Sequence, residues 1–237
     1  MDRERLRSVL ADRLRAVEER LCGACRRVGR SRGDVTLVAV TKTATVEAAA
    51  ELVGLGVGDL GESRPQELWR KAAALPAARW HLVGHLQRNK IERTLPLVHC
   101  IHAVDSLRLL SALEAEAARQ ERTVDALLEV NASREVNKHG FTPEELPGLA
   151  PTLAALTRVC VTGLMTMAAY EEDPQRCRPT FVMLRRLRDR LREALGQPLP
   201  QLSMGMSNDF EVAVEEGATL VRLGTVLFEG LPSGAEG

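Results

Sequence analysis

The sequence predicts one α/β domain folded as a TIM (β/α)8 barrel with an extra N-terminal helix. From Val35 onward, short apolar runs alternate with longer amphipathic runs, as parallel strands joined by helical crossovers do. Eight such apolar runs occur in 237 residues, close to the ~250 residues typical of this barrel. No low-complexity linker and no internal repeat interrupts them, so residues 1–237 are predicted as a single domain. A doubly wound open sheet would show the same alternation, and periodicity alone does not exclude it.

The N-terminal extension comprises residues 1–33, with a basic helix over 2–28 that packs outside the barrel. The strands are predicted at Val35–Val40, Val57–Leu60, Trp80–Val83, Val98–Ala103, Ala126–Val130, Arg158–Gly163, Gln201–Ser203 and Thr219–Leu223. The helices between them are predicted at Thr45–Leu55, Pro65–Leu75, Gln87–Leu95, Ser106–Gln120, Pro143–Leu156, Pro174–Leu195 and Asp209–Glu216. Three of these helices begin at proline, whose missing N–H costs little there. Residues 231–237 are predicted as a disordered tail.

Composition argues against several classes of partner. The chain has 32 basic and 32 acidic residues and no net charge, whereas a dedicated nucleic-acid binder usually has a basic excess. Residues 1–33 and 176–192 are rich in arginine, but Phe181, Leu184 and Leu187 repeat at helical spacing, which places these arginines on the wet face of a helix. No stretch is long and apolar enough to span a membrane. We therefore expect a cytoplasmic protein without nucleic-acid or membrane partners. Because the sequence shows no heptad pattern and no large apolar patch, we expect it to be a monomer.

The cysteines do not predict a metal site. The chain has five of them, an odd number that fits a reducing compartment. Cys22 and Cys25 have the spacing of half a zinc site, but no second pair and no nearby histidine completes it. Both are predicted to be ordinary helix residues.

A lysine follows the first strand. Strand alternation places Val38, Val40 and Lys42 on one face, and function in a parallel barrel sits at the carboxyl ends of the strands. A desolvated lysine has a lowered pKa and forms a Schiff base with a carbonyl compound. The alternative is a rim lysine that simply reaches solvent.

The loops after the last two strands are typical phosphate-binding segments. Small residues and serines follow strand seven, in the run from Ser203 to Ser207, and Gly224 and Thr225 follow strand eight. In such barrels these loops commonly bind phosphate. A lysine and a phosphate site together indicate an aldehyde that carries a phosphate, either pyridoxal 5′-phosphate (PLP) or a sugar phosphate. Arg222 favours PLP, because PLP has a pyridine nitrogen to which an arginine can donate a hydrogen bond. An arginine there keeps the nitrogen unprotonated and makes the ring a weak electron sink. The alternative for Arg222 is an ion pair with a neighbouring acid.

Nine motifs in order carry a resemblance over Val35–Gly230. They are Ala39–Lys42, Gly61–Arg64 with Gln66-Glu67, Trp80–Lys90, Ile101–Asp105, Val130-Asn131, Lys138–Phe141, Gly163–Met167, Leu202–Asp209 and Arg222–Phe228. The chain resembles the YggS/PROSC-type pyridoxal phosphate homeostasis proteins, which are related to the N-terminal barrel of alanine racemases. The resemblance implies an alanine racemase N-terminal domain-like barrel that binds PLP.

The resemblance also implies site residues. It implies that Lys42 holds PLP as an internal aldimine and that Arg222 faces the pyridine nitrogen. Phosphate contacts are implied for Ser203, Ser207, Gly224 and Thr225, positions near the ring for Asn131, Met165 and Ser63, and positions in the pocket wall for His81 and Gly84. The chain departs from the family at Ser63, where the family has asparagine, at Thr43-Ala44-Thr45, which lacks a second lysine and a proline, and at Asn137, where the family has a small residue.

Three functions follow for consideration. The preferred one is a PLP carrier without catalytic residues, involved in vitamin B6 homeostasis, with apo PLP-dependent enzymes as recipients. The second is an amino-acid racemase, which needs a second base. The only tyrosine is Tyr170, and the sequence ends before the further domain that brings a tyrosine to two-base racemases. The third is an aldolase-like barrel acting on sugar phosphates.

Overall fold

The computed structural model describes residues 1–133 and 139–234. Eight parallel strands form a closed barrel in the order β1 to β8. They are β1 (Thr36–Val40), β2 (Asp59–Glu62), β3 (Arg79–Leu82), β4 (Cys100–Val104), β5 (Val124–Glu129), β6 (Val159–Met165), β7 (Gln201–Ser203) and β8 (Leu220–Leu223). Val38 of β1 pairs with Arg222 of β8, which closes the sheet and confirms the barrel over the doubly wound alternative.

Helices surround the barrel. They are α1 (Arg3–Arg27), α2 (Val46–Gly54), α3 (Pro65–Ala74), α4 (Ile91–Thr94), α5 (Leu107–Arg119), α6 (Ala150–Ala154), α7 (Arg178–Leu195), α8 (Phe210–Glu215) and α9 (Thr225–Phe228). The long helix predicted over Pro143–Leu156 was wrong, because Pro147 and Pro151 each remove a backbone donor and leave a 3-10 turn followed by α6. The helix predicted over Gln87–Leu95 is shorter in the structure, where α4 lies between two 3-10 turns, and α9 was not predicted.

The extra N-terminal helix is confirmed. Asp2 caps α1 by accepting a hydrogen bond from the Arg5 N–H, and α1 packs against α2, α8 and α9. Leu10, Leu21 and Cys25 are buried in this contact. Burial raises the pKa of the Cys25 thiol, as expected for a helix residue in the core. Among residues 1–133 and 139–234, no helix combines the length and the apolar character needed to cross a bilayer.

Two apolar layers make up the core. The larger lies between the strands and the helices. The smaller fills the inside of the barrel and comprises Val38, Cys100, Ala103, Leu127, Met165 and Leu220. Polar side chains share this interior with the smaller cluster, and they lead to the site described below.

The C-terminal segment returns to the mouth of the barrel. Ser233 forms an isolated antiparallel bridge with Ala44, and the Gly234 N–H donates to the Thr43 carbonyl at 3.2 Å. The described part of the predicted tail thus contacts the segment after β1, and residues 235–237 lie outside the described residues.

Candidate functional site

The carboxyl ends of β1 and β8 bring the predicted lysine and phosphate loops together. Val38 pairs with Arg222, so Lys42 follows β1 beside the point where Gly224 follows β8. A Cβ atom at Gly224 would lie 3.1 Å from the Val40 carbonyl oxygen, a close approach that a larger residue would open. The chain thus places residue Lys42 next to the loop after β8.

Lys42 lies in a turn and not on the inward face of β1. The Ala44 N–H donates to the Thr41 carbonyl at 2.9 Å, so the strand alternation stops at Val40. The Lys42 side chain is exposed. The desolvation predicted from alternation was therefore wrong. Lys42 is exposed at the rim of the barrel, and its role as a Schiff-base lysine stays a prediction.

A buried ion pair supports this turn from below. The Lys71 ammonium donates to the Thr41 carbonyl at 2.6 Å and to Oε1 of Glu62 at 2.5 Å. The Thr41 hydroxyl donates to the same carboxylate oxygen at 2.6 Å. Glu62 and Lys71 are both buried. Neither was given a role by sequence reasoning, because the spacing of α3 does not reveal that Lys71 turns inward.

The loops after β7 and β8 are joined by hydrogen bonds. The Val226 N–H donates to the Ser207 hydroxyl at 3.2 Å, and the Met206 N–H donates to Asp209 at 2.6 Å. Gly205 adopts a φ of 95°, and its carbonyl accepts the Arg222 N–H at 2.9 Å. The first turn of α9 contains no acidic residue. These contacts hold the two predicted phosphate loops together, and their binding of phosphate stays a prediction.

Arg222 is buried inside the barrel and holds its charge there. Its guanidinium donates to the Ser203 hydroxyl at 2.5 Å and to the Thr166 carbonyl at 3.0 Å. Both acceptors are neutral, so these bonds differ from the ion pair that the sequence left open. Burial lowers the pKa of Arg222 to about 10, against the opposing effect of Asp209 and Glu129. Arg222 therefore remains protonated at neutral pH.

A hydrogen-bonded chain runs from Arg222 across the interior; we call Asp59, His81, His102, Ser203 and Arg222 the interior chain. Nδ1 of His102 lies 2.9 Å from the Ser203 hydroxyl, and its Nε2 lies 2.9 Å from Nδ1 of His81. Nε2 of His81 lies 3.0 Å from Oδ1 of Asp59. His81 thus lies within the barrel, and the Ser203 hydroxyl contacts Arg222 and His102. Of these five residues, sequence reasoning missed Asp59 and His102.

The interior chain overlaps a group with metal-ligand chemistry. Among the described residues, donor atoms of His81, Cys100 and His102 all lie within 4.8 Å of one another. Metal binding by both rings would need unprotonated nitrogens facing the ion. Here the facing nitrogens are 2.9 Å apart, which is the length of a shared hydrogen bond. Burial also raises the pKa of the Cys100 thiol. The geometry favours hydrogen bonding over metal binding.

Three further predicted residues lie at or just after the carboxyl ends of β2, β5 and β6. Met165 is fully buried at the end of β6. Asn131 follows β5, and its N–H donates to the Phe141 carbonyl at 3.0 Å. Ser63 is half-buried after β2; a Cβ at Gly84 would lie 2.2 Å from its carbonyl oxygen. Their roles toward a ligand stay predictions, and Asn137 and Lys138 lie outside the described residues.

Two more groups bear on the chemistry. Glu129 ends β5 and is buried; burial, and then Asp105, raise the pKa of its carboxyl. Its position at a strand end was a signal that sequence reasoning passed over. Tyr170 is 81% exposed in the loop after β6, so its hydroxyl is not positioned within the interior chain.

The site residues fit a phosphorylated aldehyde with an aromatic nitrogen. Lys42 is exposed at the rim of the barrel, and the loops of Ser207 and Gly224, which contact each other, are the predicted phosphate site. A buried, protonated arginine is the third element, and it suits a neutral acceptor such as an unprotonated ring nitrogen.

Known proteins match both the sequence and the fold. The family model described as "Alanine racemase, N-terminal domain" matches residues 14–232. A pyridoxal phosphate homeostasis protein of Aquifex aeolicus is 42% identical over 219 residues, which are 92% of this chain and 96% of that protein. The chain belongs to the family of pyridoxal phosphate homeostasis proteins.

Solved structures agree with this family. PipY of Synechococcus elongatus, solved with PLP bound, has a TM-score of 0.81 and 32% identity, covering 92% of this chain and 99% of that one. Alanine racemase of Corynebacterium glutamicum has a TM-score of 0.73 at 17% identity, covering 97% of this chain and 63% of that one. The second similarity shows the barrel fold alone.

Proposed function

We propose that the protein binds PLP covalently through Lys42 and serves PLP homeostasis as a carrier without catalytic turnover. The observation that carries this proposal is the placement of Lys42 beside the loops of Ser207 and Gly224, with the charged Arg222 held in the interior. Members of the family are named for PLP homeostasis, and PipY was solved with PLP. When bound, PLP supplies an aldehyde that condenses reversibly with an amine and releases water.

The lysine inventory supports Lys42 as the attachment point. The chain has four lysines. The Lys71 ammonium is buried against Glu62, and Lys90 lies over the Trp69 ring at 5.6 Å. Lys138 lies outside the described residues. Of the three described lysines, Lys42 is the exposed one at the barrel mouth.

Arg222 supports a carrier over an enzyme. A protonated arginine that donates to the ring nitrogen leaves that nitrogen unprotonated, and the ring then withdraws electrons weakly. A two-base racemase also needs a group that delivers a proton to the opposite face of the substrate carbon. Tyr170, the candidate from sequence, is largely exposed. Reversible binding by Lys42 and Arg222 is sufficient for a protein that stores and releases the cofactor.

Absorption and mass mapping test this proposal. Protein incubated with PLP is expected to show a visible band, and borohydride reduction should place a pyridoxyl group on the peptide containing Lys42. Lys42→Ala should abolish the band, whereas the matched variant Lys90→Ala should retain it. An adduct elsewhere would overturn the assignment. Lys42-dependent loss of optical activity from L-alanine would instead support the racemase.

Delivery and cellular setting are the finer parts of the proposal. We place the protein in the cytoplasm as a monomer that passes PLP to apo PLP-dependent enzymes. Loaded wild-type protein should reactivate an apo-transaminase faster than the same total PLP with Lys42→Ala. Light scattering should give a mass near 26.0 kDa. Equal reactivation rates would contradict delivery of PLP to apo enzymes. A dimer mass would contradict the monomeric state.

A further inference from the structure

We propose that His81 and His102 are positioning residues that act through Ser203 and Asp59 to hold the Arg222 guanidinium as a fixed donor. Neither histidine is assigned contact with PLP in this role. The inference rests on the proposed function in one respect, namely that PLP is the group to which Arg222 donates a hydrogen bond.

The donor and acceptor chemistry gives every bond of the interior chain one direction. An ionised carboxylate only accepts, so Nε2 of His81 donates to Asp59 across 3.0 Å. A neutral imidazole carries one N–H, so Nδ1 of His81 accepts from Nε2 of His102. Nδ1 of His102 then accepts from the Ser203 hydroxyl, whose oxygen accepts from Arg222. Each member has a partner on both sides.

The surroundings keep both rings neutral. Burial, followed by His81 and Arg222, lowers the pKa of His102 well below its usual value. Burial also lowers the pKa of His81, although Asp59 opposes it. Hydrogen bonds from His81 and Arg79 outweigh burial at Asp59 and hold its pKa below the usual range. The interior chain thus carries charge only at its ends, on Arg222 and Asp59.

This arrangement fixes the guanidinium. Ser203 and the Thr166 carbonyl use two of the five N–H groups of Arg222. The Ser203 hydroxyl presents its lone pair to Arg222 because its own hydrogen is directed to His102. Without His102 the hydroxyl rotates, and Arg222 loses an oriented acceptor. The His102 ring, which contacts protein groups in this role and not PLP, thereby controls the orientation of the Arg222 guanidinium.

The tautomers are measurable in the unliganded full chain. Nitrogen-15 NMR of histidine-labelled protein at pH 7 should show His81 and His102 neutral and protonated on Nε2, with His102→Asn and His99→Asn used for assignment. Protonation on Nδ1, or a charged ring, would overturn the proposal. Stoichiometric Zn²⁺ uptake that is lost in His102→Asn would also overturn it. Nε2 of His102 and Nδ1 of His81 cannot bind a metal ion while they share a hydrogen bond.

A double-mutant cycle tests the action through Arg222. PLP titrations followed by absorbance should give about tenfold weaker binding for His102→Leu, the loss of roughly one oriented hydrogen bond. His102→Asn, which keeps an acceptor for Ser203, should stay within about threefold of wild type, as should His99→Leu, whose ring lies beside His81 outside the interior chain. In the Arg222→Lys background, His102→Leu should add less than about twofold.

The outcomes separate the two proposals. Additive effects of His102→Leu and Arg222→Lys would overturn the positioning role even if PLP binds to Lys42. If wild-type protein fails to bind PLP, the proposed function fails, while the NMR measurement still decides the tautomers. Urea unfolding of each variant identifies one that is not folded. If His102→Leu is not folded, His102→Met, which also lacks an acceptor for Ser203, replaces it in the cycle.

Discussion

Glu62 and Lys71 form a fully enclosed ion pair directly beneath the turn that carries Lys42. The Lys71 ammonium joins the Glu62 carboxylate to the Thr41 carbonyl, one residue before Lys42. Among the described residues, Oε2 of Glu62 is the only buried side-chain oxygen or nitrogen without a hydrogen-bond partner. Removing one charge would therefore strand the other in a place that water does not reach.

Lys71→Met is expected to lower the free energy of unfolding by about 3–5 kcal/mol, because a buried charge then lacks its partner. Glu62→Gln combined with Lys71→Met should lose less than Lys71→Met alone. The adjacent Arg70→Met removes an exposed pair with Glu67 and should cost less than about 1 kcal/mol. Urea unfolding measures all three; similar losses for Lys71→Met and Arg70→Met would contradict the prediction.

Stability should fall as the pH drops below about 6.5, the ordinary pKa of histidine. The pKa values of His81 and His102 are lowered in the folded state, so below pH 6.5 the unfolded chain binds more protons than the native chain. Each ring contributes a slope of up to about 1.4 kcal/mol per pH unit. Urea unfolding at pH 5.5 and 7.5 should show a smaller difference for His102→Leu than for wild type. An unchanged difference would count against neutral, buried rings.

Gly205→Ala is expected to disrupt the loop after β7. Gly205 has a φ of 95°, and an added Cβ would lie 2.6 Å from the Ala213 Cβ. Strain and overlap together should cost more than about 1 kcal/mol and weaken PLP binding. Gly148→Ala, where an added Cβ meets nothing within 4 Å, should change stability by less than about 0.5 kcal/mol. The prediction fails if the two variants unfold at the same urea concentration.

The N-terminal helix should contribute to stability through its apolar face. Leu21 is fully buried, and Leu21→Ala should cost about 2–5 kcal/mol. Arg15 forms an exposed pair with Asp12 three residues earlier, so Arg15→Ala should change stability by less than about 0.5 kcal/mol. Thermal and urea unfolding check both values. A small effect of Leu21→Ala on the free energy of unfolding would contradict the prediction that the packing of α1 stabilises the barrel.

Local patterns predicted the barrel because each strand has its own apolar run. The same patterns failed where proline breaks a helix, as at Pro147 and Pro151, and where a turn ends an alternation, as at Lys42. Arg222 and Ser207 could be singled out from the sequence because Arg222 lies in β8 and Ser207 in the loop after the neighbouring strand β7.

The interior chain was not predictable in this way. Its members come from β2, β3, β4, β7 and β8, and their contacts depend on which side chains point inward. The register between β4 and β5 shifts between Ile101 and Val104, so simple alternation does not give the facing of His102. The ion pair of Glu62 and Lys71 depends equally on how α3 packs on β2.

The position of α1 has a consequence for synthesis on the ribosome. Arg13 of α1 donates to the Leu227 carbonyl, and Arg20 pairs with Glu211, partners that lie about two hundred residues later in the chain. The part of the apolar face of α1 that packs on α8 and α9 therefore stays uncovered in the nascent chain until those two helices have been made. Such late partners favour association with chaperones, so nascent chains halted before β8 should be far more sensitive to protease than released protein.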